Sequence, residues 1–110
     1  MAAQEWAPII GALTAGASLG YGQPYWLMDQ VMSGELSEAR LASFLTAMAI
    51  KGATVDEIHG LADGMQDYAA HVDLPSRALD IVGTGGDGYK NDNLSTMSAI
   101  AAAALGIPHV

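Results

Sequence analysis

Six residues, Gly83-Thr84-Gly85-Gly86-Asp87-Gly88, follow directly on an apolar run, Ala78-Leu79-Asp80-Ile81-Val82, and are followed a few positions later by Asn93-Leu94-Ser95-Thr96. A strand ending in such a loop lets backbone N–H groups turn inward around an anion, and a helix starting at Asn93 aims its own free N–H groups at the same place. Asn93 is suited to cap that helix. The hydroxyls of Ser95 and Thr96 can donate to phosphate oxygens or ligate a hard cation such as Mg2+. Asp87 is the informative member, because a carboxylate beside a phosphate repels it unless a metal, a ribose hydroxyl or spare N–H groups intervene. The chemistry this pattern points to is the binding of a phosphorylated sugar with magnesium.

Two other phosphate-binding patterns fit less well. Gly83 to Gly88 satisfies G-x-G-x-x-G, but a dinucleotide-binding turn runs straight into its helix and carries an acid about 20 residues on for the ribose. Here Tyr89 to Asn93 intervene and no acid follows Asp92. Lys90 stands two places after Gly88, where a P-loop has its lysine directly after the glycine.

The rest of the chain must position this loop. Its 110 residues make one average domain at most, and 51% are apolar but only 6% aromatic, with 20 alanines. Closely packed helices with small side chains follow from that composition, which excludes a disordered chain and argues against an all-β sandwich. Twelve acids against the four scattered bases Arg40, Lys51, Arg77 and Lys90 give a net charge of −8, so binding of nucleic acid by phosphate neutralisation is excluded. The absence of cysteine removes disulfides, thiolate metal sites and a cysteine nucleophile together. No charge lies between Glu5 and Asp29, but Gly11, Gly16, Gly20, Gly22 and Pro24 divide that stretch, and the start carries an acid where a signal peptide has a base. The sequence therefore reads as a soluble, cytoplasmic protein with no membrane span.

Periodicity and punctuation predict four short helices in residues 1–76. Trp6, Ile9, Ile10 and Leu13 line the first, and Pro24 opens a second in which Leu27, Met28, Val31 and Met32 repeat the spacing until Gly34. Ser37 caps a third, with Leu41, Phe44, Leu45 and Met48 on one face and Gly52 as its stop. Thr54 and Glu57 form a capping box for a fourth, expected to bury Ile58, Leu61, Met65 and Tyr68. After Pro75, residues 77–110 predict a strand, the glycine loop, a helix over Leu94 to Leu105 that must be buried because it is apolar on nearly every side, and the start of a second strand at Ile107. The expected fold class is an α-helical N-terminal domain followed by the start of an α/β domain, in a chain that reads as unfinished.

Asp80-Ile81-Val82-Gly83-Thr84-Gly85-Gly86-Asp87-Gly88 with Asn93-Leu94-Ser95-Thr96 closely resembles the signature of the anthranilate phosphoribosyltransferases. Leu27-Met28-Asp29-Gln30-Val31-Met32-Ser33-Gly34-Glu35, Phe44-Leu45 before Lys51-Gly52, and Thr54 to Ile58 resemble that family's helical domain in the same order. The resemblance implies a nucleoside phosphorylase/phosphoribosyltransferase-like fold and an N-terminal fragment, roughly the first third of such an enzyme. It further implies transfer of the phosphoribosyl group of phosphoribosyl pyrophosphate to anthranilate, with release of pyrophosphate, in tryptophan biosynthesis. By family position Gly83, Gly86, Asp87, Asn91, Asn93, Leu94, Ser95 and Thr96 contact phosphoribosyl pyrophosphate, Ser95 also ligates Mg2+, and Gly83 borders the anthranilate site. A homodimer joined through residues 1–76 is implied as well.

The pattern departs from the family at Asn91, where a threonine or serine is usual, and the sequence stops at Val110, before the family's Lys-His-Gly-Asn segment. The competing reading is a non-catalytic helical interaction or dimerisation module, with residues 77–110 as a remnant; the fragment alone is expected to be inactive. The large side chains Trp6, Ile9, Ile10, Leu13, Tyr25, Trp26 and Phe44 exceed what a bundle of roughly 70 residues is expected to enclose, which predicts an apolar interface patch. His59, His71 and His109 lack partners at metal spacing and are assigned no role.

Overall fold

The computed structural model describes residues 2–83, 94–108 and 110, with side chains from Trp6 onward. The chain divides into two compact units, Met1–Ala70 and His71–Val110.

The first unit is a bundle of four helices, α1 (Ala2–Thr14), α2 (Gly22–Met32), α3 (Glu38–Lys51) and α4 (Val55–Gln66). Local chemistry sets their ends. Ser37 stands in extended backbone and its hydroxyl accepts from the Arg40 N–H, while Thr54 and Glu57 close a complete capping box in both directions. Gly16 and Gly34 adopt positive φ after α1 and α2, and each turns its helix off with paired bonds back into the last turn, Ala17 N–H to Ala12 and Gly16 N–H to Leu13 in the first case. A residue with a Cβ would be strained in that conformation, so the stop depends on glycine.

The core is built by Ile9 and Leu13 of α1, Leu19 of the following loop, Leu27 of α2, and Phe44 and Met48 of α3, with Trp6, Trp26 and Leu61 packed against it. The bundle thus encloses Ile9, Leu13 and Phe44, three of the seven large side chains that together were expected to exceed its capacity. Apolar surface is left elsewhere, at Leu45 and Ile50 of α3. Arg40 lies over the Trp6 ring, 5.7 Å from its centroid, which ties the start of α3 to α1.

α4 differs from its predicted face. Ile58 and Met65 are more than half exposed, whereas Glu57, Gly60 and Gly64 are buried. The reason is the contact with α2: the two glycines present bare backbone to Tyr21, Pro24, Tyr25 and Met28, so the helices approach along their backbones rather than through interdigitated side chains. Three tyrosine–aspartate bonds clip the same pair together, Tyr21 to Asp63 at 2.8 Å, Tyr68 to Asp29 at 2.6 Å, and Tyr25 to Asp67.

In the second unit the Leu79 N–H donates to the Pro108 carbonyl at 2.8 Å and the Val110 N–H to the Leu79 carbonyl at 3.0 Å. This is a parallel bridge, the pairing a right-handed strand–helix–strand unit requires. Among the described residues it is a single bridge rather than the two strands expected. The intervening helix α5 (Leu94–Ala104) ends in Gly106 at φ 77° with the Ile107 N–H bonded to Ala102. Contrary to expectation, α5 is not buried: Ala102 alone reaches the interior, while Leu94, Met97 and Ile100 are exposed. The sequence pattern records what the helix is able to bury rather than what is there to bury it. Among the described residues no helix is long and apolar enough to cross a membrane.

Candidate phosphosugar site

The bridge at Leu79 fixes the direction of the chain into Gly83, and α5 returns from the loop beginning at Leu94. These two ends meet: a Cβ added to Gly83 would lie 3.9 Å from the Ser95 hydroxyl oxygen. The end of the strand segment therefore sits against the first turn of α5, where Ser95 and Thr96 are exposed. A helix of 11 residues leaves its first N–H groups without intrahelical partners and carries a partial positive charge at that end, and α5 has no acid in its first turn to neutralise it. The start of α5, the Ser95 hydroxyl and a side-chain-free glycine thus lie side by side at a place accessible to solvent, an arrangement suited to an anionic oxygen cluster such as a phosphate.

Of the residues expected at the site, Gly83 and Ser95 are neighbours, and Leu94 and Thr96 flank Ser95 in the first turn of α5, with the Leu94 side chain exposed rather than held in the unit's interior. Gly86, Asp87, Asn91 and Asn93, together with Lys90 and His109, lie outside the described residues. Magnesium demands hard oxygen donors and retains several waters and substrate phosphates, so one or two protein oxygens suffice. The exposed Ser95 hydroxyl is one hard oxygen donor of that kind. Among the described residues no cluster of three or more His, Asp or Glu could hold a metal ion by itself.

Among the described residues of the helical unit, His and acidic side chains meet only in pairs or hydrogen-bonded networks with tyrosine. His59 lies 3.3 Å from Asp63 and edge-on to the Tyr21 ring, and His71 lies 3.3 Å from Asp73 on the exposed surface. The group that sequence reasoning used only as a cap is Glu57. It is fully buried and accepts from the Leu19 N–H, the Thr54 N–H and the Lys51 ammonium, at 2.7, 2.7 and 2.8 Å. Burial pushes its carboxyl up, but the bonds from Lys51, Leu19 and Thr54 outweigh that effect and hold it at about 2, below the ordinary 4.5.

A helical bundle followed by a parallel bridge and a helix that starts beside Gly83 defines a class. Residues 7–69 match the glycosyl transferase family helical bundle domain and residues 75–110 the glycosyl transferase family a/b domain. The chain belongs to this family. Over 92% of its length it is 48% identical to a protein of Nocardioides sp. named anthranilate phosphoribosyltransferase, covering 30% of that relative. Proteins of the same name from Leifsonia xyli subsp. xyli and Saccharopolyspora erythraea are 47% and 44% identical over 96% and 98% of the chain, which covers 30% and 31% of them. The chain thus spans about three tenths of the length of the curated relatives it matches.

Proposed function

We propose that this chain supplies the helical domain and the phosphoribosyl pyrophosphate-binding turn of an anthranilate phosphoribosyltransferase, which transfers the phosphoribosyl group to the amine of anthranilate and releases pyrophosphate in tryptophan biosynthesis. The observation that carries the reading is the placing of Gly83 against the exposed first turn of α5, at Ser95 and Thr96. The names of the relatives, at 44 to 48% identity over nearly the whole chain, supply the acceptor.

In this reading the N–H groups at the start of α5 and the Ser95 and Thr96 hydroxyls hold the phosphate oxygens, and the bare Gly83 backbone lets the sugar approach. Gly86, Asp87, Asn91 and Asn93 complete that contact by family position. Ser95 would also hold Mg2+, which when bound supplies positive charge against the departing pyrophosphate. As the bond to pyrophosphate breaks, the sugar develops oxocarbenium character, so this segment's work is positioning and charge neutralisation. By itself the chain is expected to bind without turning over. A cytoplasmic location belongs to the same reading, since both substrates are small soluble metabolites.

The test is a chimera in which residues 1–110 replace the matching segment of the Nocardioides sp. relative. It should form phosphoribosyl anthranilate, and Ser95→Ala within it should weaken magnesium-dependent binding of phosphoribosyl pyrophosphate by about 1 to 3 kcal/mol. Equal affinities for the two versions, with and without magnesium, would remove Ser95 from the site. A folded, inactive chimera would favour the non-catalytic module.

The reading includes a homodimer through α1 and α3. These helices form a groove of about 710 Å3 lined by Ile10, Leu13, Thr46, Ala47 and Ile50 among others, with no acid in its lining. For two copies each carrying a net charge of −8, contact is least opposed across a face without carboxylates. Lys51, at one end of the groove, is neutralised within the chain by Glu57.

A further inference from the structure

The bundle is made of two halves held together by different physics. α2 and α4 approach through the bare backbone of Gly60 and Gly64 and are clipped by the three tyrosine–aspartate bonds, none of which involves α1 or α3. α1 and α3 are joined by apolar packing of Ile9, Leu13, Phe44 and Met48, to which α2 adds Leu27 and α4 the partly buried Leu61. Among the described residues one polar tie runs across the two halves. Glu57, the one fully buried charged residue among the described residues, sits at the start of α4 and grips the loop leaving α1 through the Leu19 N–H and the end of α3 through Lys51.

Lys51 has little freedom in this arrangement. Its side chain is 8% exposed and its ammonium also donates to the Gly52 carbonyl at 2.7 Å, in a turn where Gly52 takes φ 83°. No buried side-chain nitrogen or oxygen among the described residues lacks a partner. A satisfied knot of this kind is all-or-none, because removing one partner strands the others in a place water reaches poorly.

We propose that Glu57 is a latch between the two halves of the bundle, whose release lets α1, α3 and the Leu19 loop open together while α2 and the glycine-bearing part of α4 stay packed. The groove between α1 and α3 lies entirely on the half that opens. The latch therefore makes the apolar face of the domain a unit that can loosen without global unfolding, a low-energy opening set apart from the rest of the fold.

The experiment is amide hydrogen exchange, resolved by segment, on the whole 110-residue chain and on Glu57→Gln, whose amide cannot accept from Leu19, Thr54 and Lys51 together. Exchange in Trp6–Thr14, Glu38–Lys51 and at Leu19 should accelerate on the order of a hundredfold. Gly22–Met32 and Gly60–Gln66 should keep the parental rates. Equal acceleration in all four helices would make Glu57 a general stability contact and overturn the proposal, and so would no acceleration at all. Should Glu57→Gln fail to fold, Lys51→Met, which keeps both backbone bonds to the carboxylate, decides by the same pattern at about tenfold. Because the readout needs neither substrate nor dimer, it stands apart from the enzymatic reading.

Discussion

Gly64 faces Met28 so closely across the α2–α4 contact that a methyl group at Gly64 would lie 2.8 Å from the Met28 Cβ and 3.0 Å from the Tyr25 carbonyl oxygen. At Gly60 the obstacle is the Tyr21 carbonyl itself, a backbone atom that cannot swing aside as a side chain can. Both positions are in a helix interior, where alanine is otherwise favoured over glycine by about 1 kcal/mol, so packing and propensity oppose each other. Packing wins here. Gly60→Ala should destabilise the bundle by about 2 to 3 kcal/mol and Gly64→Ala by about 1 kcal/mol, read from urea unfolding. Gly11→Ala is the matched control, since nothing lies within 4 Å of its added Cβ, and it should stabilise by about 0.5 to 1 kcal/mol. If all three changed stability in the same direction, the close approach of α2 and α4 would be wrong.

The buried carboxylate sets the acid limit of the helical unit. With Glu57 held at about 2 in the folded chain against 4.5 when free, the folded state binds its proton less readily than the unfolded state. The contribution is therefore fully present above pH 4.5 and drains away as the pH falls from there towards 2. Its size is on the order of 3 kcal/mol. Urea midpoints measured between pH 7 and pH 2.5 should fall steeply below pH 4.5 in the parental chain, and this component of the slope should vanish in Glu57→Gln. An equally steep fall in that variant would assign the acid sensitivity to other carboxylates.

Most helix ends were legible in the sequence because capping is local chemistry; α2 is the exception, beginning at Gly22 with Tyr21 before it rather than at the expected Pro24, which sits in its first turn. Ser37, Thr54 with Glu57, and the glycines at 16, 34, 52 and 106 act on bonds within a few residues of themselves, and all take the roles their positions announce. The core face of α4 was not legible, because apolar periodicity ranks Ile58 and Met65 above glycine and does not register that bare backbone lets a helix come nearer. The signal available was the four-residue spacing of Gly60 and Gly64. At the candidate site, the glycine run and Ser95-Thr96 located the turn, and the structure adds that Gly83 and Ser95 are neighbours. The reach of Glu57 to Leu19, 38 residues away, follows only from the tertiary fold, since a capping box accounts for one of the carboxylate's oxygens and leaves the other unassigned.

Self-association provides the last prediction. Of the seven large side chains from whose excess an interface patch was expected, Ile9, Leu13 and Phe44 are spent on the core, so an interface must use what remains. Ile50 fits: it lines the α1–α3 groove and is 83% exposed, so a charge placed there costs the monomer little but would be buried in a two-fold contact. Val55, 82% exposed but on α4 and away from the groove, is the control. Sedimentation of the 110-residue chain over a range of concentrations should show a dimer for the parental sequence and for Val55→Glu. Ile50→Glu should sediment as a monomer with its unfolding free energy within about 0.5 kcal/mol of the parent. A parental chain that stays monomeric at high concentration would show that the groove does not pair two copies of this segment, and a dimer that survives Ile50→Glu but not Val55→Glu would move the interface to α4.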